Sequence, residues 1–264
     1  MTDLDLTMFR LTAEEAARAG AEQLESWRGK FNAREKGRAD MVTEADLAAQ
    51  QAVKTVLLTH FPDHGFLGEE DGRKTGLRPA SGSAPLWVVD PLDGTSNYVH
   101  DVPAYCVSIG LWADDDLQIG VIYDPRLNEM FSTAKGHGAT LNRKPIRVSQ
   151  IENLRGAMLS TGFPPAPDAQ LRNLEAWRPL SLASQAMRRT GSTALNLAYV
   201  ACGRFDGYWA FDNYPWDVVA GLLLVREAGG MISRLNGDPF DPFEPDVLAT
   251  NGKIHPEMLG YLVK

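Results

Sequence analysis

The stretch WVVDPLDGTSN, residues 87–97, ends an apolar run with two carboxylates and follows them with a Gly-Thr-Ser turn. Leu86, Val88 and Val89 predict a buried strand with Asp90 and Asp93 just past its end. Pro91 has no N–H to continue a ladder and is expected to stop that strand and turn the chain outward. Gly94 accepts backbone angles that other residues resist, and Thr95 or Ser96 is placed to cap a helix whose N–H groups suit an anion. Acids that attract cations thus stand beside amides that attract phosphate, the pairing that metal-assisted phosphate chemistry needs. An Asp-Gly turn after a strand is also ordinary loop punctuation, so the rest of the chain must decide.

Two more acidic segments point the same way. Gly68-Glu69-Glu70-Asp71 follows the apolar 65–67 and reads as a second short strand that delivers carboxylates at its end; on its own it could be a solvated acidic loop. Pro215-Trp216-Asp217 opens a long apolar helix through 218–228, which Gly229 and Gly230 stop, and an acid in a first turn commonly serves the helix dipole alone. Two unit charges about 4 Å apart repel by about 4 kcal/mol at an effective dielectric near 20. Four convergent carboxylates would therefore need cations between them.

The segments GEED (68–71), DPLDGTSN (90–97) and PWDVVAGLLLVREAGG (215–230), together with DMVTEAD (40–46), resemble the signatures of the inositol monophosphatase family in order and spacing. The resemblance covers nearly the whole chain. It implies an α+β fold, the layered αβαβα sandwich of the inositol monophosphatase and fructose-1,6-bisphosphatase type, as one catalytic domain over 1–264 in two packed halves, roughly 1–150 and 151–264. It also implies a lithium-sensitive phosphomonoesterase, a homodimer, with two to three Mg²⁺ per subunit. Glu69, Asp90 and the Leu92 carbonyl would hold one Mg²⁺; Asp90, Asp93 and Asp217 would hold the second; a third, mostly hydrated, would lie near Glu69. Thr95, with Glu69 and Asp46, would orient the attacking water, and the N–H groups of Gly94 and Thr95 would bind phosphate oxygens. Lys36 resembles the family's lysine near the phosphate, although it stands one residue closer to Asp46 than the family pattern has it. Thr43-Glu44-Ala45-Asp46 is also a capping box, a purely structural use of Asp46.

Substrate contacts are where the chain departs from the family. Asp93 and the turn Gly191-Ser192-Thr193 match sugar-contacting positions, with Thr193 where a smaller residue is common. Inositol-cleaving members carry an acid in the strand before the Trp-Asp pair, and the matching position here is Ala210, which accepts no hydroxyl bond; Asp212 stands two residues later. The expected substrate is inositol monophosphate or a similar small polyol phosphate. Histidinol phosphate, fructose 1,6-bisphosphate or a nucleotide 3′-phosphate are alternatives within the family, and a non-catalytic regulatory protein is the alternative of another class. A retired site has no physical reason to keep four crowded carboxylates.

Composition agrees. With 264 residues and a 44% hydrophobic share the chain can bury a large core. A formal charge of -8 argues against nonspecific nucleic-acid binding. Cys106 and Cys202, the two cysteines, make neither a disulfide scaffold nor a zinc finger. Residues 1–10 carry acids and no long apolar run, so no signal peptide is read there, no apolar run is long enough for a membrane helix, and a cytoplasmic enzyme is expected. His60 and His64 have zinc-like spacing, but Pro62 breaks the helix that would align them, and Gly136-His137-Gly138 reads as a hairpin turn.

Helices are predicted over 12–27, capped by Thr12 and Glu15, and over 43–60. An antiparallel meander is predicted from 107–112, 117–123 and 130–134. In the second half, strands near 157–160, 205–211, 231–234 and 247–249 alternate with helices near 171–184, 192–201, the Trp216 helix and one from His255.

Overall fold

The computed structural model describes residues 2–37, 40–71, 77–164 and 167–262, and in it helices and sheets alternate in five layers. The first layer is α1 (Asp3–Trp27) and α2 (Glu44–His60), joined through an antiparallel ribbon of β1 (Arg34–Gly37) and β2 (Asp40–Val42). These helices cover a seven-stranded sheet of β3 (Gly65–Gly68), β4 (Leu86–Asp93), β5 (Cys106–Ala113), β6 (Asp116–Asp124), β7 (Glu129–Ala134), β8 (Ala139–Leu141) and β9 (Lys144–Ile146), in sequence order. Among the described strands of this sheet only the β3–β4 pair is parallel; β5, β6 and β7 form the predicted meander, which β4 joins on one side and β8 and β9 extend on the other.

The third layer is α5 (Thr193–Ala201) and α6 (Pro215–Glu227). Behind it lies a five-stranded sheet, ordered β11-β10-β12-β14-β13, from β10 (Met158–Thr161), β11 (Ala186–Arg188), β12 (Gly207–Ala210), β13 (Met231–Ser233) and β14 (Val247–Thr250). α4 (Pro167–Ala183) and α7 (His255–Leu262) close the far face, and a short α3 (Thr95–Val99) follows β4. Strand alternation sorts side chains between layers. Val107, Ile109 and Leu111 of β5 face α1 and α2, while Tyr208 and Ala210 of β12 face the middle helices and Trp209 faces α4 and α7. One core cluster joins β4, β5 and β6 to α5, α6, β12 and β14, so both halves of the chain share it. No described helix is long and apolar enough to cross a membrane.

A glycine pair lets α6 sit close to the first sheet. Gly110 and Gly120 are partners in the β5–β6 ladder. A Cβ on Gly110 would come within 2.2 Å of Val219, and one on Gly120 within 2.5 Å of the Ala220 carbonyl oxygen. That seating brings the first turn of α6, with Asp217, to the end of β4.

Several local expectations change. α1 starts at Asp3, not near Thr12, because Thr2 and Asp5 form the capping box and the apolar face begins at Leu6 and Phe9; Thr12 lies inside the helix and is buried. α4 starts at Pro167, ahead of the expected 171. β4 does not stop at Asp90 but runs through Pro91 to Asp93. In its register Asp90 pairs with Ser108 and Asp93 with Cys106, so the strand carries one extra residue, a bulge in which a proline needs no ladder N–H. Gly94, with φ 100°, takes the cap position of α3, which leaves Thr95 and Ser96 inside its first turn rather than capping it.

Candidate active site

The bulge in β4 brings Asp90 and Asp93 to one mouth, at a cavity of about 230 Å³ that Glu69, Leu92, Gly94, Thr95, Gly191 and Asp217 also line. Asp90 is 2% exposed and Asp93 8%. Most of these acids also hold the local backbone. Asp90 Oδ1 accepts from the Leu92 N–H at 3.0 Å, and Asp217 Oδ2 accepts from the Tyr214 N–H at 2.7 Å as the capping box of α6. Asp93 takes the Ser192 hydroxyl and the Ala194 N–H on Oδ2, both at 2.6 Å, and the Thr193 N–H on Oδ1 at 3.2 Å. It therefore sits on the N-terminus of α5, where the helix dipole favours a negative charge.

Glu69 begins a 3-10 turn, Glu69–Asp71, braced from α2. Gln50 donates to Asp71 Oδ1 at 3.1 Å and accepts from the Glu70 N–H at 3.0 Å, while Asp71 Oδ2 accepts from the Gly68 N–H at 3.0 Å. Thr95 faces two acceptors, the Leu92 carbonyl at 3.1 Å and Asp46 Oδ1 at 3.2 Å. Asp46 meanwhile takes the Thr43 N–H at 2.8 Å and the Thr43 hydroxyl at 2.6 Å on Oδ2. Its capping role and its reach to Thr95 thus coexist, one on each oxygen.

Burial pushes the Asp90 carboxyl well above the ordinary carboxylate range, and the charges of Glu69, Asp93 and Asp217 and a hydrogen bond with Glu69 push it further. Burial also carries Asp93 up to about 6, against the downward pull of its bonds from Ser192, Ala194 and Thr193. Four carboxylates and a carbonyl around one cavity form a hard-oxygen donor set of the kind that Mg²⁺ selects. Among the described residues no three acids, cysteines or histidines close into a ready-made cage. An open set suits an ion that keeps several waters and takes substrate oxygens.

The profile of the Inositol monophosphatase family matches residues 5–264. The chain belongs to the inositol monophosphatase family. It is a phosphatase that hydrolyses phosphate monoesters. An inositol-1-monophosphatase of Synechocystis is 42% identical over 257 residues, covering 96% of this chain and 87% of that protein. The Nus factor SuhB of Pseudomonas aeruginosa is 44% identical over 207 residues, covering 77% and 75%. The solved inositol monophosphatase of Anabaena (Nostoc) superposes with a TM-score of 0.85 at 41% identity, covering 98% and 96% of the two chains.

For an inositol monophosphatase family member, the structure divides the sequence-predicted residues into two groups. Glu69, Asp90, Leu92, Asp93, Gly94, Thr95 and Asp217 line one cavity, with Gly191 at its edge and Asp46 behind Thr95. Ser192 and Thr193 turn inward instead: Ser192 and the Thr193 N–H hold Asp93, and the Thr193 hydroxyl lies 3.0 Å from the Tyr208 hydroxyl. Ala210, 2% exposed in β12, lies outside the residues lining the cavity. The Lys36 side chain is outside the described residues. His60 Nδ1 lies 3.1 Å from the Val56 carbonyl, and His64 stacks on Phe61.

Sequence reasoning missed the supporting residues. Asn97 donates to the Ala104 carbonyl at 2.6 Å and to the Thr190 carbonyl at 2.8 Å, so it ties the Gly191 turn to α3. The Tyr98 hydroxyl donates to the Leu24 carbonyl at 2.6 Å and pins α3 to the end of α1. Asn97 does follow the Asp-Gly-Thr-Ser turn directly, but its partner lies 93 residues away and leaves no local pattern.

Proposed function

We propose that this phosphatase hydrolyses inositol monophosphate or a similar small polyol phosphate with Mg²⁺, two to three ions per subunit. The observation that carries this reading is the gathering of Glu69, Asp90, Asp93 and Asp217 around one cavity, with the Thr95–Asp46 pair beside them. Glu69, Asp90 and the Leu92 carbonyl would hold one ion, Asp90, Asp93 and Asp217 the second, and the neighbourhood of Glu69 a third. Bound Mg²⁺ would supply Lewis acidity, offsetting phosphate charge and making water a better nucleophile at neutral pH. Thr95, oriented by Asp46 Oδ1, positions the attacking water together with Glu69. The N–H groups of Gly94 and Thr95 receive phosphate oxygens, with Lys36 adding positive charge. Resemblance to the family supports a cytoplasmic homodimer whose activity lithium inhibits.

Ala210 supplies no acceptor for inositol hydroxyls, so polyol recognition falls to Asp93 and the Gly191 turn. That feature favours a broader range of polyol phosphates. The Nus factor name of the Pseudomonas relative supports a second reading, a protein-partner role beside catalysis.

The test is phosphate release with and without Mg²⁺ and Li⁺, from inositol 1-phosphate, histidinol phosphate, fructose 1,6-bisphosphate and adenosine 3′,5′-bisphosphate. Mg²⁺-dependent, Li⁺-inhibited turnover greatest on inositol 1-phosphate is expected. Asp90→Asn should lower it by about 10²-fold or more, the range seen for lost preorganised electrostatic groups. Turnover independent of Mg²⁺, or unchanged in folded Asp90→Asn, overturns the metal assignment.

A further inference from the structure

A second cavity lies away from the catalytic mouth. α1 leaves a space of about 530 Å³ over β7 and β8, lined by Thr7 and Arg10 of the helix, Ser132 of β7, His137 of the following turn, Thr140 of β8 and Arg143. An adjoining hollow of about 170 Å³ shares Ser132, Thr140 and Arg143 and adds Arg18 and Glu14. Neither shares a residue with the catalytic cavity. The larger one falls in the range of roughly 300–1,000 Å³ typical of small-molecule sites.

The charge balance of this groove is opposite to that of the chain. Acids outnumber Lys and Arg 34 to 26 overall, yet three arginines and a histidine line the two hollows against one acid, Glu14. Glu14 is buried and already engaged: it accepts from Arg10 at 2.5 Å and from the Ser132 hydroxyl at 2.6 Å. Arg10 is thereby fixed in direction. His137 stands 3.6 Å from the exposed Asp3 at the rim.

Arg143 is the unbalanced charge. Among the described residues its guanidinium makes no hydrogen bond or ion pair. It occupies the second position of the two-residue β8–β9 turn, where Asn142 has φ 49° and Arg143 φ 66°. Turns with positive φ at both central positions favour Asn-Gly, and a long side chain there carries a conformational penalty. An exposed guanidinium with no protein partner, on a backbone conformation that disfavours a long side chain, lines both hollows.

We propose that this groove is a second binding site, for a small molecule bearing an oxyanion, a phosphate or a carboxylate, with Arg143 as its principal contact and Arg10 and Thr7 alongside. A guanidinium presents two parallel N–H groups to either oxyanion, which makes Arg the side chain suited to this chemistry.

Calorimetric titration of the whole chain, freed of metal on a chelating resin and kept at low ionic strength, tests this, with inorganic pyrophosphate and citrate as probes. Without cations the catalytic carboxylates repel both, so binding reports the groove. Saturable binding of at least one probe is expected, weakened at least tenfold in Arg143→Gly and kept in Asp90→Asn. Glycine suits this turn, so the variant removes the guanidinium without endangering the fold, and its phosphatase activity serves as the check. Preference for pyrophosphate assigns a phosphate ligand, and preference for citrate a carboxylate. Absence of saturable binding to the wild type, equal affinity in Arg143→Gly, or loss in Asp90→Asn overturns the proposal.

Discussion

The Ser192 hydroxyl donates to Asp93 Oδ2 at 2.6 Å across 99 residues of chain. The bond ties the end of β4 in the first sheet to the N-cap of α5 between the sheets. Ser192 also accepts from the Leu195 N–H at 3.2 Å, so one side chain caps the helix and holds the site acid. Ser192→Ala removes both bonds. Loss of a Ser cap alone costs about 0.5–2 kcal/mol, and the lost charge-assisted bond frees the Asp93 carboxylate to move. Thermal unfolding should show that loss, and half-maximal activity should need several-fold more Mg²⁺. An unchanged Mg²⁺ dependence would separate Ser192 from the metal site.

Thr95 and Asp46 meet at 3.2 Å, and Asp46 has a structural duty on its other oxygen. Asp46→Asn can keep a carbonyl oxygen toward the Thr43 N–H while removing the charge behind Thr95. Stability should fall by less than about 1 kcal/mol, and kcat by about 10²-fold or more, the lower end for positioned acid-base groups. Thr95→Ser keeps the hydroxyl and should retain most activity, whereas Thr95→Val should match Asp46→Asn. Equal activities for the serine and valine variants would remove the hydroxyl from the mechanism.

The acids of the candidate cavity are legible in the sequence because they stand at the ends of predictable elements: Glu69 after a short strand, Asp90 and Asp93 at the end of β4, Asp217 in the first turn of α6. Their convergence is not, since it depends on how close α6 approaches the sheet, and Gly110 and Gly120 set that distance from another part of the chain. Pro91 illustrates a local rule that failed for a physical reason: a bulge removes the need for the missing N–H, so the strand continues. The short strands β1, β2, β8, β9 and β11 are not read from the sequence, although β13, equally short, is. The family resemblance assigns Ser192 to a sugar-contacting turn; its bond to Asp93, 99 residues away, leaves no local pattern.

Gly120 should tolerate no side chain. A Cβ there would meet the Ala220 carbonyl oxygen at 2.5 Å and the carbonyl carbon at 3.2 Å, backbone atoms that cannot rotate away. Gly120→Ala should destabilise by about 1–3 kcal/mol, as overpacked cores do, and should displace α6 enough to lower activity through Asp217. Gly260→Ala, in α7 with nothing within 4 Å of the added carbon, is the control and should stabilise by about 0.5–1 kcal/mol. Chemical denaturation resolves the pair; equal midpoints would mean that the α6 contact is not tight.

His255 gives the fold a pH dependence of definite sign. The ring is fully buried, with Nε2 2.9 Å from the Ser233 hydroxyl and Nδ1 3.0 Å from the Thr250 hydroxyl, and burial pulls its pKa down from 6.5 to about 4. The unfolded chain therefore binds a proton here before the folded one does, so this stabilisation is complete above pH 6.5 and is lost as pH falls toward 4. Asp124, which burial pushes up to about 6, works in the opposite direction, as acidification favours the fold at that residue. The measurement is thus the difference in unfolding free energy between wild type and His255→Gln across that range. The wild-type advantage should shrink with acidification by up to about 3 kcal/mol, since each pKa unit is worth about 1.4 kcal/mol. A difference that stays constant from pH 7 to pH 4 would mean that folding leaves the proton affinity of the ring unchanged.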